Sequence, residues 1–227
     1  MKKLVTLIVA AMGFMTMHAQ NPTNTGNLAD GFKMMRNDAK GSPYLSEEWY
    51  VGYGIFQDGT TSRPQQMNYD VHGNTLVYKV AGNANVLKLM DKSFKGFILK
   101  NGEEELLFSK IKGDAFDKEK DEEKYYQIVK APSQNVIIEY EKDLDDPNAS
   151  GWMSSKDNTL NAEYKMDIEY YVMNKDGKYE EVKLKNNSVL KVYKDKKDQM
   201  NAYMKSNNID IETPEDLVTV VEYYYSI

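Results

Sequence analysis

Aromatic side chains are the residues of this sequence best suited to contact a ligand. Trp49, Tyr50 and Tyr53 lie close together at the start of a predicted strand, and Trp152 follows in a long polar segment. Rings of this kind can stack on a sugar or a peptide. Packing within a sheet is the competing interpretation for the first three residues, because aromatic residues are also common in strands. We predict that these four residues form a ligand-binding surface.

The histidines and acidic residues do not form a recognisable catalytic pattern. His72 lies in a predicted turn, and no GxSxG sequence supplies a serine for it to activate. The 35 acidic residues allow a pair of carboxylates, as in glycosidases, but the sequence does not indicate which pair. With two histidines and no cysteine, the usual zinc ligand sets cannot be assembled. We therefore predict no catalytic residue, no metal ion and no cofactor.

Composition and charge restrict the class of protein. The chain has 227 residues, of which 41% are hydrophobic, and it contains no cysteine, so a single core held by packing alone is expected. The net charge is −6, and it becomes −8 if the first 19 residues, including Lys2 and Lys3, are removed. An acidic balance argues against a nucleic-acid partner, which requires a basic surface.

The N-terminal residues 1–19 are typical of a secretory signal peptide. Lys2 and Lys3 precede an apolar run, Leu4 to Met15, and Ala19 offers a small residue at the expected cleavage position. The run is too short to cross a membrane as a helix. We predict an exported protein that is soluble after cleavage, in the periplasm or outside the cell, with residues 20–40 as a flexible leader.

Between residues 41 and 194 the hydrophobic pattern alternates with period two, which is typical of antiparallel strands. The clearest strand is Glu163 to Met173, with one apolar and one polar face. The fold class predicted is α+β, mostly an antiparallel sheet arranged as a meander, as two sheets or as a half-closed barrel. Strands are expected at 49–56, 66–71, 75–80, 86–90, 94–99, 106–111, 125–130, 136–141, 163–173, 179–184 and 188–193.

Two further features concern domain organisation. The charged stretch 112–123 can act as a hinge between two lobes, 41–111 and 124–194, or as a loop on one domain. After residue 195 the period changes to that of a helix, and Thr213-Pro214 is a favourable helix start. We predict two short helices in 195–227 that pack on one face of the sheet.

The opening run GSPYLSEEW (41–49) and the closing residues 168–227 resemble an uncharacterised family of exported β-rich bacterial proteins. The resemblance covers 41–111 and 168–227, and it implies export, a β-rich fold and a helical tail. The family has no assigned activity, so it supplies no functional residue.

These observations together favour a non-catalytic exported protein that acts by binding, or by interaction with the cell envelope. Two alternatives stay open. The first is a carboxylate-based hydrolase of glycans, which requires two acids in a deep cleft beside Trp49 or Trp152. The second is a periplasmic carrier whose curved sheet encloses an apolar ligand, in a cavity lined by residues such as Met67, Met166 and Ile168. The partner is therefore a glycan, a peptide or an apolar molecule.

Overall fold

A computed structural model describes residues 39–80, 86–89, 93–147 and 162–227. Ten strands form one antiparallel sheet in the order β10-β9-β8-β7-β6-β5-β1-β2-β3-β4, which confirms the predicted α+β class. The predicted signal peptide and most of the predicted leader lie outside the described residues, as does Trp152. The strands are β1 (Tyr50–Phe56), β2 (Gln65–Asp70), β3 (Thr75–Lys79), β4 (Val86–Lys88), β5 (Phe94–Asn101), β6 (Glu104–Ile111), β7 (Lys124–Ile128), β8 (Val136–Asp145), β9 (Glu163–Met173) and β10 (Tyr179–Val182).

The sheet is built from two meanders, β1 to β4 and β5 to β10. They join where β1 pairs with β5, so that Gly54 lies opposite Phe97. The glycine is required there, because a Cβ atom at position 54 would lie 2.2 Å from the ring of Phe94. The longest pairing is that of β8 with β9, which runs from Val136–Val172 to Asp145–Glu163.

The sheet curls strongly toward one face, which we call the inner face. The rings of Tyr69 on β2 and Tyr125 on β7 lie 6.0 Å apart, although three strands separate them in the sheet. Four steps between strands would span about 19 Å in a flat sheet. The turn after β2 completes the curl, since the Nδ1 atom of His72 lies 2.8 Å from the carbonyl oxygen of Lys142. The arrangement is therefore a half-closed barrel, one of the forms predicted.

Aromatic rings fill the curl. Phe97 and Phe108 are fully buried and stacked with their centroids 4.6 Å apart, and the rings of Tyr69 and Tyr125 pack against them. Alternation along the strands places these side chains on the same face. This inner cluster is the larger part of the core at the β1–β6 end of the sheet.

Three helices follow the sheet rather than two: α1 (Asn186–Val192), α2 (Lys197–Ser206) and α3 (Pro214–Ser226). The predicted strand at 188–193 is wrong, because most of that stretch belongs to α1. Its β-branched residues favour a strand locally, but the helix buries Val189, Leu190 and Tyr193 together. Tertiary packing has overridden the local preference.

The helices pack on the inner face at the other end of the sheet, as predicted for the C-terminal region. Val136, Val172 and Val182 of the strands meet a continuous apolar surface from the helices. Two of the most buried helical residues are Met200 and Val220, which are both fully inaccessible to solvent. Because a short helix is marginal alone, this contact is what stabilises the tail.

The start of α3 carries a reciprocal cap. The backbone N–H of Asp216 donates to the hydroxyl of Thr213 at 3.2 Å, and the carboxylate of Asp216 accepts from the backbone N–H of Thr213 at 3.0 Å. We expect Thr213→Ala to lower the free energy of unfolding by about 1 kcal/mol, because one of the first backbone N–H groups of the helix loses its acceptor. Urea denaturation measures the change. Thr213→Ser is the matched control and should restore most of the stability; equal losses in both variants would contradict the cap.

Residues 112–123 form a strap that lies against the outer face of the sheet. The strands on either side of it, β6 and β7, pair directly through Ile111 and Lys124, so the two halves of the chain contribute to the same sheet. The strap turns tightly at Gly113, where a Cβ atom would lie only 1.7 Å from the carbonyl oxygen of Lys120. It inserts the ring of Phe116 between Tyr126 and Tyr179.

Candidate functional site

A cleft of about 540 Å³ lies beside the edge strand β10. Three parts of the chain form it: the strap, the strand β10 with the residues that follow it, and the helix α1. A volume of this size is in the range of small-ligand sites. Its lining residues are Phe116, Asp117, Lys118, Lys120, Tyr171, Tyr179, Glu180, Glu181, Val182, Lys183, Lys185, Asn187, Ser188 and Lys191.

Local structure explains why these side chains meet. Tyr179 and Glu181 are two residues apart on β10 and therefore share its outer side. Ser188 and Lys191 are three residues apart on α1 and share one side of that helix. The strap reaches the same edge because the backbone N–H of Asp117 donates to the carbonyl oxygen of Tyr179 at 2.9 Å.

Lysines dominate the charge of the cleft. The lining holds five lysines and three carboxylates, on a chain whose net charge is −6. Four of the lysines are exposed, and none of these four makes an ion pair with the residues that the structure describes: Lys118, Lys183, Lys185 and Lys191. The cleft is therefore a positive site on an acidic protein.

The fifth lysine, Lys120, connects the cleft to a buried charge. Its ammonium contacts the carboxylate of Glu139, which is 1% exposed, and donates to the hydroxyl of Tyr171 at 2.6 Å. Lys124 lies 3.0 Å from the other carboxylate oxygen of Glu139. Burial acts to raise the pKa of Glu139, but the hydrogen bonds from the two lysines outweigh it, and the pKa is lowered.

Burial and hydrogen bonding also act in opposite directions on the pKa of Lys124. Burial acts to lower its pKa, whereas hydrogen bonds to Glu141 and Glu139 raise it, and the resulting pKa is about 12. Lys124 therefore stays charged at neutral pH. The contact of Lys120 with Glu139 fastens the strap to the outer face, and this fixes one wall of the cleft.

A second, smaller cleft of about 440 Å³ lies on the inner face, near the N-terminus of α3. Tyr50 and Tyr140 line it, and the hydroxyl of Tyr140 donates to the side chain of Gln127 at 2.6 Å. Three glutamates also line this cleft: Glu104, Glu105 and Glu215. Glu105 is paired with Lys100 at 2.6 Å.

The predicted aromatic surface is divided between the two faces of the sheet. Tyr50 faces inward to the smaller cleft, whereas Tyr53 faces outward, 5.7 Å from the ammonium of Lys100. Trp49 is half-buried and lies under the ammonium of Lys79, at 4.1 Å from its ring. Trp49, Tyr50 and Tyr53 therefore do not share one surface.

The other candidate residues are also separated. His72 closes the curl of the sheet and lies in neither cleft. Met67 is 1% exposed in the inner cluster, whereas Met166 and Ile168 on β9 are 36% and 42% exposed. The expectation that β9 has one buried apolar face is thus wrong at these two residues. Neither cleft is lined by the three residues that an apolar carrier was expected to use.

Comparisons with known proteins add no relative. No protein-family model matches the chain, and no similar protein was found among curated proteins or solved structures. Within the described ranges, no group of three or more histidine, cysteine, aspartate or glutamate side chains is placed to hold a metal ion. The helices described here include none that is long and apolar enough to cross a membrane.

Sequence reasoning missed the lysine cleft. Lys183, Lys185 and Lys191 stand out as a basic run after the last hairpin, and this is the one local signal available. One reason is that the residues of α1 have the pattern of a strand. The other is that the strap and the start of β10 are more than 60 residues apart in sequence, as in the contact between Lys178 and the carbonyl of Asp114. Such a contact leaves no trace in a hydrophobic pattern.

Proposed function

We propose that this chain is an exported, non-catalytic binding protein that holds an anionic ligand in the lysine cleft. The observation that carries the proposal is the group of four exposed lysines, none of them ion-paired with a residue that the structure describes, around a cleft of about 540 Å³. Export rests on the sequence pattern of residues 1–19.

Electrostatics supports an anion as the ligand. Lysine ammonium groups near a protein surface attract a carboxylate, sulfate or phosphate with an energy that rises as water is displaced from the cleft. The net negative charge of the chain repels large polyanions, which favours a small anion held in this positive cleft. Lys120 adds a cation whose position is fixed by Glu139 and Tyr171.

The carboxyl groups give less support to hydrolysis. A glycosidase needs one carboxylic acid whose pKa is raised so that it can protonate the leaving group. Hydrogen bonds lower the pKa of Asp58 and Asp216 at turns and helix caps, and an ion pair with Lys40 lowers that of Glu163. The pKa of Glu139 is lowered as well, and this residue is buried beneath the strap.

Binding is tested with a triple variant of the purified protein. We expect Lys183→Gln, Lys185→Gln and Lys191→Gln together to weaken the binding of citrate, measured by calorimetry, by at least tenfold at low salt, because three of the cations that face the ligand are lost. Binding by the unaltered protein should also weaken as salt is added.

The control variant changes the same number of charges elsewhere. Lys95, Lys197 and Lys205 are exposed and lie outside the cleft, so Lys95→Gln, Lys197→Gln and Lys205→Gln together should leave citrate binding within twofold of the original. Equal losses in the two triple variants would show that only net charge matters and would refute a site at the cleft. Absence of citrate, sulfate and oligogalacturonate binding to the unaltered protein would refute the proposed function.

A further inference from the structure

Three carboxylates lie among the lysines of the cleft, and they narrow the class of anion. Asp117 and Glu181 are exposed, and neither makes an ion pair within the ranges that the structure describes. Glu180 is partly buried and already accepts a hydrogen bond from the side chain of Asn174 at 2.7 Å. Two carboxylates are thus available as acceptors, and they favour a ligand that carries hydrogen-bond donors beside its anionic groups.

Neutral polar groups complete the lining. The hydroxyl of Ser188 accepts from the backbone N–H of Lys183 at 2.9 Å, which leaves its own hydrogen to donate. Asn187 is exposed on α1 and can both donate and accept. The cleft therefore offers donors to an anion and acceptors to hydroxyl groups within one small volume.

The aromatic and aliphatic side chains of the lining contribute little exposed surface to the cleft. The rings of Phe116, Tyr171 and Tyr179 are 3%, 4% and 4% exposed, and Val182 is 3% exposed. A peptide ligand usually places alternate side chains in apolar pockets. These four side chains are too buried to form such a pocket, so a ligand rich in polar groups fits better here than a peptide.

On this basis we propose that the ligand is an acidic sugar, one whose carboxylate accepts from the exposed lysines and whose ring hydroxyls donate to Asp117 and Glu181. A uronic acid oligosaccharide of two or three rings carries a carboxylate and hydroxyl groups on each ring. This inference rests on the proposed function, because it assigns a chemical class to the same cleft.

Asp117 and Glu181 provide the test, since an acidic sugar needs them and a simple anion does not. We expect trigalacturonate to bind the full protein more tightly than citrate does. The double variant Asp117→Ala and Glu181→Ala should weaken trigalacturonate binding about tenfold, because hydrogen bonds to charged acceptors are lost. The same variant should bind citrate equally well or more tightly, because two repelling charges are gone.

The outcomes separate this inference from the proposed function. If citrate binds and depends on the lysines, but trigalacturonate does not bind or is unaffected by the double variant, the acidic sugar is refuted and the anion site stands. Tighter binding of a short polyglutamate peptide than of trigalacturonate would also refute it. If the unaltered protein binds none of these anions, both proposals are refuted. Thermal unfolding of each variant confirms that the exposed substitutions leave the fold intact.

Discussion

Replacing Phe97 with alanine is expected to lower the free energy of unfolding by about 4 kcal/mol. The ring is fully buried, stacks on Phe108 at 4.6 Å and contacts the rings of Tyr125 and Tyr69 at 5.0 and 5.5 Å. Its removal costs the transfer free energy of the ring and leaves a cavity that the surrounding strands cannot fill by collapsing. Since Tyr69 and Tyr125 come from strands that only the curl brings together, the cavity opens inside the curl of the sheet.

Urea denaturation followed by circular dichroism measures this loss. Val51 supplies the control, because it lies on the neighbouring strand β1 but is 50% exposed on the outer face. Val51→Ala should change the stability by less than about 0.5 kcal/mol. A loss below about 1.5 kcal/mol in Phe97→Ala would mean that the aromatic cluster is not packed as described.

Replacing Glu139 with alanine is expected to lower the free energy of unfolding by about 3 kcal/mol. Glu139 is 1% exposed and is the shared partner of Lys120 and Lys124. Breaking a buried ion pair by removing one partner costs about 3–5 kcal/mol, because a charge is left without compensation. The lower end applies here, since both lysine side chains are 27% exposed and can reach water.

Acid titration distinguishes this ion pair from simple packing. Because the lysines lower the pKa of Glu139 in the folded protein, the stabilisation is present above the ordinary carboxyl value of 4.5 and is lost as the pH falls through the lowered value. The difference in stability between the original protein and Glu139→Ala should therefore shrink below pH 4.5. A constant difference between pH 7 and pH 3 would assign the effect to packing.

The control variant is Glu141→Ala, which also removes a partner of Lys124. Because Glu141 is 44% exposed, this change should lower the free energy of unfolding by less than about 1 kcal/mol.

The sequence predicted the strands well because most of them have a local signature. β9 runs from Glu163 to Met173, the bounds that alternation predicts. Turn residues such as Gly102 and Gly177, both with positive φ, set the ends of neighbouring strands. The Thr213-Pro214 sequence likewise predicts the start of α3, which begins at Pro214.

What could not be predicted depends on contacts between distant parts of the chain. The order of the strands, with β1 inserted between β5 and β2, is not encoded in any local pattern. Alternation predicts that the outer side of β9 is exposed to solvent, yet Tyr171 is buried there because the strap covers it. The lysine cleft was missed for the same reason, since it exists only where the strap, β10 and α1 meet.

The curl of the sheet has a kinetic consequence. Its closing contact joins His72 to Lys142, which are 70 residues apart, so the entropy of a long loop must be lost before the contact forms. Chains whose native contacts are mostly distant in sequence fold slowly. The hairpins β5–β6 and β9–β10 can form early from nearby residues, whereas the aromatic cluster needs β2 and β7 in place together. We therefore expect the interior of the half-barrel to be the last region to acquire its protection against amide hydrogen exchange during refolding.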